Sequence, residues 1–207
     1  MARRAAGPTA RRTDGFATFP GMPSGRIVLL NGPSSSGKTT LAKAVSRRLS
    51  TPWLVLPVDL FHQIRTRPST ELTDRQWHDV FHRTRAAYHR ALVGAAAVGC
   101  DVLGDHVLSE PWRLDDLLRL SVGLDVLLVH VTCDAPELVR RERARGDRDP
   151  GSARTQLRLV FAHGDCDLTV DTTYGPDEPT AALLELIRNP PAERAFDRLR
   201  AVRASRA

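Results

Sequence analysis

The chain has 207 residues, 42% hydrophobic and 26% charged, enough apolar material for one globular core and too much for a disordered chain. No apolar run approaches the roughly 18 residues of a membrane span. Cys100, Cys133 and Cys166 are widely spaced and form no CxxC pair, which excludes a disulfide scaffold or a zinc ribbon and fits a reducing, cytoplasmic setting. No apolar segment follows the N-terminal arginines, so no secretory signal is expected.

The net charge of +6 sits at the ends. Residues 1–25 hold four Arg against one Asp, and residues 188–207 hold six Arg against Glu193 and Asp197, leaving 26–187 at −1. The expected organisation is a flexible basic tail over 1–25, one domain over 26–188 and a basic tail over 189–207. Only the tails would attract a polyanion, weakly and with strong salt dependence. Lysine is almost absent; Lys38 and Lys43 stand beside 28 arginines.

In chain order, RIVLLN (26–31) reads as a buried strand, GPSSSGKTT follows, and 41–50 has helical spacing. WLVLPV (53–58) is a second strand ending at Asp59. Thr73-Asp74 can cap a long helix to about residue 98. DVLGD (101–105) is a strand weakened by Gly104, 112–120 a helix and DVLLVHV (125–131) the clearest strand. Asp134 can cap a helix over 135–145. After the turn GDRDPG come a helix over 152–162, a fifth strand over 168–173 and a helix over 180–188. Strands alternating with helices predict an α/β fold, a parallel five-stranded sheet covered on both faces.

Gly32-Pro33-Ser34-Ser35-Ser36-Gly37-Lys38-Thr39 satisfies GxxxxGK[ST] between a predicted strand and helix, the context the motif requires. Its N–H groups form an anion cradle at a helix N-terminus. Lys38, expected to be exposed while the cradle is empty, would reach the β- and γ-phosphates of ATP, and the Thr39 hydroxyl would hold Mg²⁺. Thr40 completes the cradle.

A P-loop identifies a phosphate donor; a chain of this length then fits a small kinase, which needs an acceptor carboxylate, an Arg-bearing lid and a base slot. Asp59, at a strand's carboxyl end, could accept a hydroxyl proton, or it could cap the LFHQI stretch. Asp105 could hold Mg²⁺ or the acceptor, or serve as a turn residue. Phe61, His106, Glu110 and Trp112 are the remaining acceptor-side candidates. Arg141, Arg145 and Arg148 could neutralise the transferring phosphoryl, or simply favour a helix C-terminus. Asp171, Thr172 and Thr173 leave the last strand where a base could sit, and His163 reads as structural.

GRIVLLNGPSSSGKTTLAKAV, WLVLPVD, DHVL, ERARGDR and DLTVDTT occur in the order seen in chloramphenicol phosphotransferase and its relatives, and the chain resembles that family over nearly all of 26–188. The resemblance implies a nucleotide-kinase-like three-layer fold with a lid. It also implies ATP-dependent O-phosphorylation of an antibiotic, with Asp59 as catalytic base. The match is weakest between Phe61 and Trp112, which bears on the acceptor rather than the reaction. A metabolic or nucleic-acid-end kinase, or a P-loop protein that binds nucleotide without transfer, are the alternatives.

Overall fold

The computed structural model describes residues 23–145 and 151–205. Five strands, β1 (Arg26–Asn31), β2 (Leu54–Pro57), β3 (Val102–His106), β4 (Asp125–Thr132) and β5 (Leu168–Asp171), form one sheet in the order β2-β3-β1-β4-β5. Every pairing is parallel. Because β1 is central, with β3 and β2 laid down on one side of it and β4 and β5 on the other, the strand order reverses at its carboxyl end, where open α/β sheets bind ligands. The expected α/β fold is therefore observed.

Alternating side chains of each strand feed two cores. Val28, Leu30, Leu103, Leu127 and Val129 pack with α1 (Lys38–Ser46) and α7 (Asp177–Arg188) on one face. Ile27, Leu29, Val102 and Leu128 pack on the other against α3 (Asp74–Ala97), α4 (Pro111–Leu120) and α8 (Ala195–Ala204). Parallel strands buried on both faces explain why these segments read as continuous apolar runs. Gly104 is required by close approach: a Cβ there would lie 2.7 Å from Leu92 Cδ2 and 3.0 Å from the Tyr88 hydroxyl. What looked like a weakness in β3 is the seat of α3.

Two short helices differ from expectation, one in being a separate element and one in length. α2 (Val58–Gln63) follows β2 without a loop. α6 (Ser152–Leu157) is shorter than the expected helix over 152–162 and packs on α5 (Ala135–Arg145). α3 starts at a capping box, in which Gln76 N–H bonds the Thr73 side chain and the Gln76 side chain returns to Thr73 N–H. Its buried residues all lie at or beyond Tyr88, so its first half is not part of the core.

The segment expected as a basic C-terminal tail contains α8, whose Ala195, Phe196 and Leu199 are buried. Its arginines are tied to carboxylates of the body, Arg194 to Asp125, Arg198 to Asp165 and Arg203 to Asp115. Charge that read as an excess at the chain end is matched by acids far away in sequence. The N-terminal tail through residue 22 lies outside the described residues. Among the described residues no helix is long and apolar enough to cross a membrane.

Candidate active site

The β1–α1 loop is the P-loop the sequence predicted. Gly37 has φ 84°, a left-handed backbone that glycine adopts without penalty. Ser35, at φ 62°, is the other left-handed residue of the loop, and such alternation turns successive N–H groups inward as an anion nest. The hydroxyls of Ser34, Ser35 and Ser36 are buried with no hydrogen-bond partner among the described residues. A buried orphan polar group carries a penalty that a ligand can remove.

The expectation of an exposed Lys38 is corrected: it is buried, 7% accessible, its ammonium bonded to the carbonyls of Gly32 (2.9 Å) and Pro33 (2.7 Å). The loop's own carbonyls stabilise the cation until an anion replaces them.

Thr39 and Asp105, the two predicted magnesium ligands, meet: the Thr39 hydroxyl donates to Asp105 Oδ2 at 2.7 Å. Asp105 Oδ1 accepts from Val58 N–H (3.1 Å), the start of α2. Tyr88 Oη, 2.7 Å from Asp105 O and 3.0 Å from Leu56 O, ties β2 to β3 beneath it. A hydroxyl and a carboxylate are the hard oxygen donors that Mg²⁺ prefers.

Asp59 occupies the first turn of α2, with Pro57 at the N-cap position; it is therefore not the cap of that helix. It lines two cavities. The first, about 460 Å³, is bounded by Ser34, Gly37, Lys38, Thr39, Thr40 and Asp105 on one side and by Arg140, Arg141 and Thr172 on the other. The second, about 1110 Å³, runs between α2, residues 65–72 and the first half of α3, along Arg65, Trp77 and Phe81. One carboxylate thus stands where a phosphate cleft meets a second cleft.

Thr172 hydroxyl lies 2.6 Å from Ser36 O, and Arg141 donates to Thr172 O at 2.8 Å. Glu137 accepts from Arg141 Nε at 2.7 Å. Asp171 and Thr173 do not line the cavity; the Asp171 carboxylate accepts from Thr173, whose hydroxyl accepts from Asp134 N–H, closing the turn into α5. Arg148 and the side chain of Arg145, the expected lid arginines, lie outside the described residues.

Four acceptor-side expectations are corrected. Phe61 packs edge-on against Tyr88 (5.5 Å) and joins the core. His106 is 1% exposed and turned to the α3 face, its Nε2 2.9 Å from His89 Nε2, while His89 Nδ1 meets Asp116 at 2.8 Å. Burial holds both imidazoles below their ordinary pKa, His89 at about 4. Glu110 accepts from the Trp112 indole N–H (2.8 Å) and pairs with Arg113; Trp112 stacks on His82 at 3.9 Å. None of the four lines either cavity. Phe61 and His106 sit next in sequence to the cleft residues His62 and Asp105, but the helix and strand phases turn them away. His163 is structural, as read: it bonds Asn31 beneath the P-loop strand at 3.1 Å.

The side chains missed were Arg140, Arg65, Trp77, Phe81 and Arg85. The last four sit on α2's exit and on α3 at i, i+4 and i+8 (77, 81, 85), one helical face. That spacing was visible, but it also describes an ordinary core stripe.

A family profile described as "Chloramphenicol phosphotransferase-like protein" matches residues 25–188. A curated protein of Mycobacterium tuberculosis (strain H37Rv), provisionally named an O-phosphotransferase, is 34% identical over 207 aligned residues, covering 89% of this chain and 92% of that protein. Among solved structures, the APS kinase of Mycobacterium tuberculosis in complex with AMPPNP and APS superposes with a TM-score of 0.60 at 19% identity, over 81% of this chain and 99% of the kinase. A gluconokinase of Sinorhizobium meliloti superposes at 0.55 and 22%, over 81% and 94%. These two share the fold.

Proposed function

The chain belongs to the chloramphenicol phosphotransferase-like family and is a kinase-type O-phosphotransferase, and from that premise we propose that it moves the γ-phosphoryl of ATP to a small-molecule alcohol with Asp59 as the base. The observation that carries the reading is that Asp59 borders both the P-loop cavity and the neighbouring cleft. The acceptor hydroxyl gives its proton to the Asp59 carboxylate as its oxygen bonds to the γ-phosphorus. The bond from that phosphorus to the β–γ bridging oxygen breaks, and ADP leaves. Lys38 exchanges its carbonyl partners for phosphate oxygens and offsets their charge.

Thr39 and Asp105 are the residues that would hold Mg²⁺, which when bound neutralises phosphate charge. Arg140 and Arg141 flank the phosphates from α5, and Arg145 and Arg148 follow them as candidates for closing over the donor. Thr172 marks the base side. Family membership makes a chloramphenicol-type alcohol the first acceptor to test, with inactivation of the drug as the consequence.

Asp59→Asn keeps shape and removes basicity. Single-turnover transfer to an accepted alcohol should fall about 10²–10⁴-fold, with an unchanged thermal melt and unchanged ATP binding. Unaltered transfer in a folded variant refutes the base; failure of every alcohol tried to increase ADP release refutes transfer itself.

A further inference from the structure

Phe81, on the wall of the second cleft, has two guanidinium groups near its ring, Arg65 on the cleft wall and Arg85 beside it. Arg65 Cζ lies 4.9 Å from the Phe81 ring centroid and 5.4 Å from that of Trp77, and Arg85 Cζ lies 5.7 Å from the same Phe81 ring. Stacking uses the flat face of a guanidinium and leaves its N–H edge free to grip an oxyanion with two parallel bonds. The edges here have few claimants. Among the described residues Arg65 hydrogen-bonds His62 Nδ1 at 3.3 Å and Thr84 Oγ1 at 3.4 Å and no carboxylate. Arg85 makes no hydrogen bond or ion pair among the described residues, although it is half-buried.

The carboxylates nearby do not take that role. Glu110 acts on Arg85 electrostatically, but its two oxygens are engaged by Arg113 and the Trp112 indole. Glu71 and Asp74 line the cleft, are exposed, and pair with neither arginine. Burial lowers the pKa of Arg85 from its ordinary value, the carboxylates of Glu110 and Asp59 oppose that shift without bonding it, and the charge of Arg65 adds to it. Two cations that repel each other, one desolvated and without a bonded carboxylate, form a site that an anion would complete.

We propose that the acceptor carries, besides the hydroxyl it presents to Asp59, an oxyanion — a carboxylate or a phosphate — held by Arg65 and Arg85 against the Phe81 and Trp77 rings. This rests on the transfer reading above for the word acceptor, but the anion site stands or falls by itself. It narrows the acceptor class of that reading: a hydroxy acid or a phosphorylated alcohol should be preferred over the chloramphenicol-type alcohol that family membership puts first for testing. The two arginines would also offset the repulsion between such a substrate, Asp59 and the nucleotide phosphates.

The test is calorimetric titration of the full chain with phenylacetate, phenyl phosphate and neutral phenylacetamide, without nucleotide and with AMPPNP filling the P-loop cleft. At least one anion should bind about tenfold or more tightly than the amide with AMPPNP present, and which anion does so separates carboxylate from phosphate recognition. Arg85→Gln and Arg65→Gln should each weaken that binding about tenfold. Arg65 lies on the cleft wall, so its variant keeps the test decisive if Arg85→Gln loses its melt. Equal binding of acid and amide, anion binding that disappears with AMPPNP, no anion binding at all, or folded arginine variants that bind as the wild type does would each overturn the site. Anion binding intact with no alcohol phosphorylated would instead overturn transfer and leave the site standing.

Discussion

The two clefts that meet at Asp59 are built from different materials. The nucleotide side is mostly backbone: loop N–H groups, the carbonyls that hold Lys38, and Thr172 O on Arg141. It rests on contiguous residues between the central strand and α1. The second cleft, the proposed acceptor side, is mostly side chain, with Arg65, Trp77 and Phe81 on its wall and Arg85 beside Phe81, spread over α2's exit and the overhanging half of α3. A backbone cradle is tied to a strict local conformation and tolerates little change. A side-chain wall on one helix face can be rebuilt without disturbing the fold, so this is where members of a kinase family can differ in acceptor.

The largest effect should come from the cradle's own charge. Lys38→Ala should lower kcat about 10²–10³-fold, the usual consequence of deleting one transition-state charge contact. The melt should hold, since Gly32 and Pro33 carbonyls can turn to water once the ammonium is gone. A folded variant with near-normal single-turnover transfer would break the comparison at its stronger half.

How much of this was legible follows the same division. The five strands, their parallel order of helices and the P-loop were readable because apolar runs and a fixed motif are local signals. Asp59 and Asp105 were found by their place at strand ends, and the structure puts both on the first cavity. His106 and Phe61 were misplaced because adjacency in sequence does not reveal phase: His106 follows Asp105 in β3 and therefore faces the opposite side. α8 was missed because only three of its apolar residues, Ala195, Phe196 and Leu199, form its buried stripe among arginines, and its anchors Asp115, Asp125 and Asp165 are distant in sequence.

Acid should loosen the core half of α3, from which the wall of the second cleft extends. His89 joins α3 to Asp116 of α4 and His106 of β3, and burial lowers its pKa to about 4. The unfolded chain, with histidine near 6.5, binds more protons than the folded one between those values. The stability is therefore fully present above about pH 6.5 and lost as pH falls toward 4, by about 3 kcal/mol for this one group. Melts across pH 8 to 4 should show the decline, and His89→Gln should flatten part of it. A flat profile for the wild type would remove the argument.

Two single variants sharpen the division between clefts at a smaller scale. Trp77→Ala should raise KM for the acceptor about tenfold, the loss of one aromatic contact with its cation partner, and leave KM for ATP alone. Arg141→Lys loses the fork that grips Thr172 O and Glu137, so it should raise KM for ATP several-fold and spare the acceptor. Steady-state kinetics with each substrate varied separates them. If either variant shifts both constants equally, the clefts do not act independently.

The smallest effect concerns a side chain of α6 that accepts from one N–H of the backbone cradle. Ser34 N–H donates to Gln156 Oε1 at 2.7 Å, so an amide oxygen of α6 occupies a donor that faces the phosphate cleft. A bound phosphate that used this N–H would have to displace that oxygen, and a neutral hydrogen bond of this kind contributes about 1 kcal/mol net. Gln156→Ala should therefore tighten nucleotide binding about threefold, because part of the bond's worth is recovered from water in the empty loop. Titration of AMPPNP into both proteins reads the difference directly. Weaker binding in the variant would show instead that Gln156 turns to the nucleotide once it is bound. α6 would then belong to the cradle, and the nucleotide cleft would depend on a side chain as the acceptor cleft does.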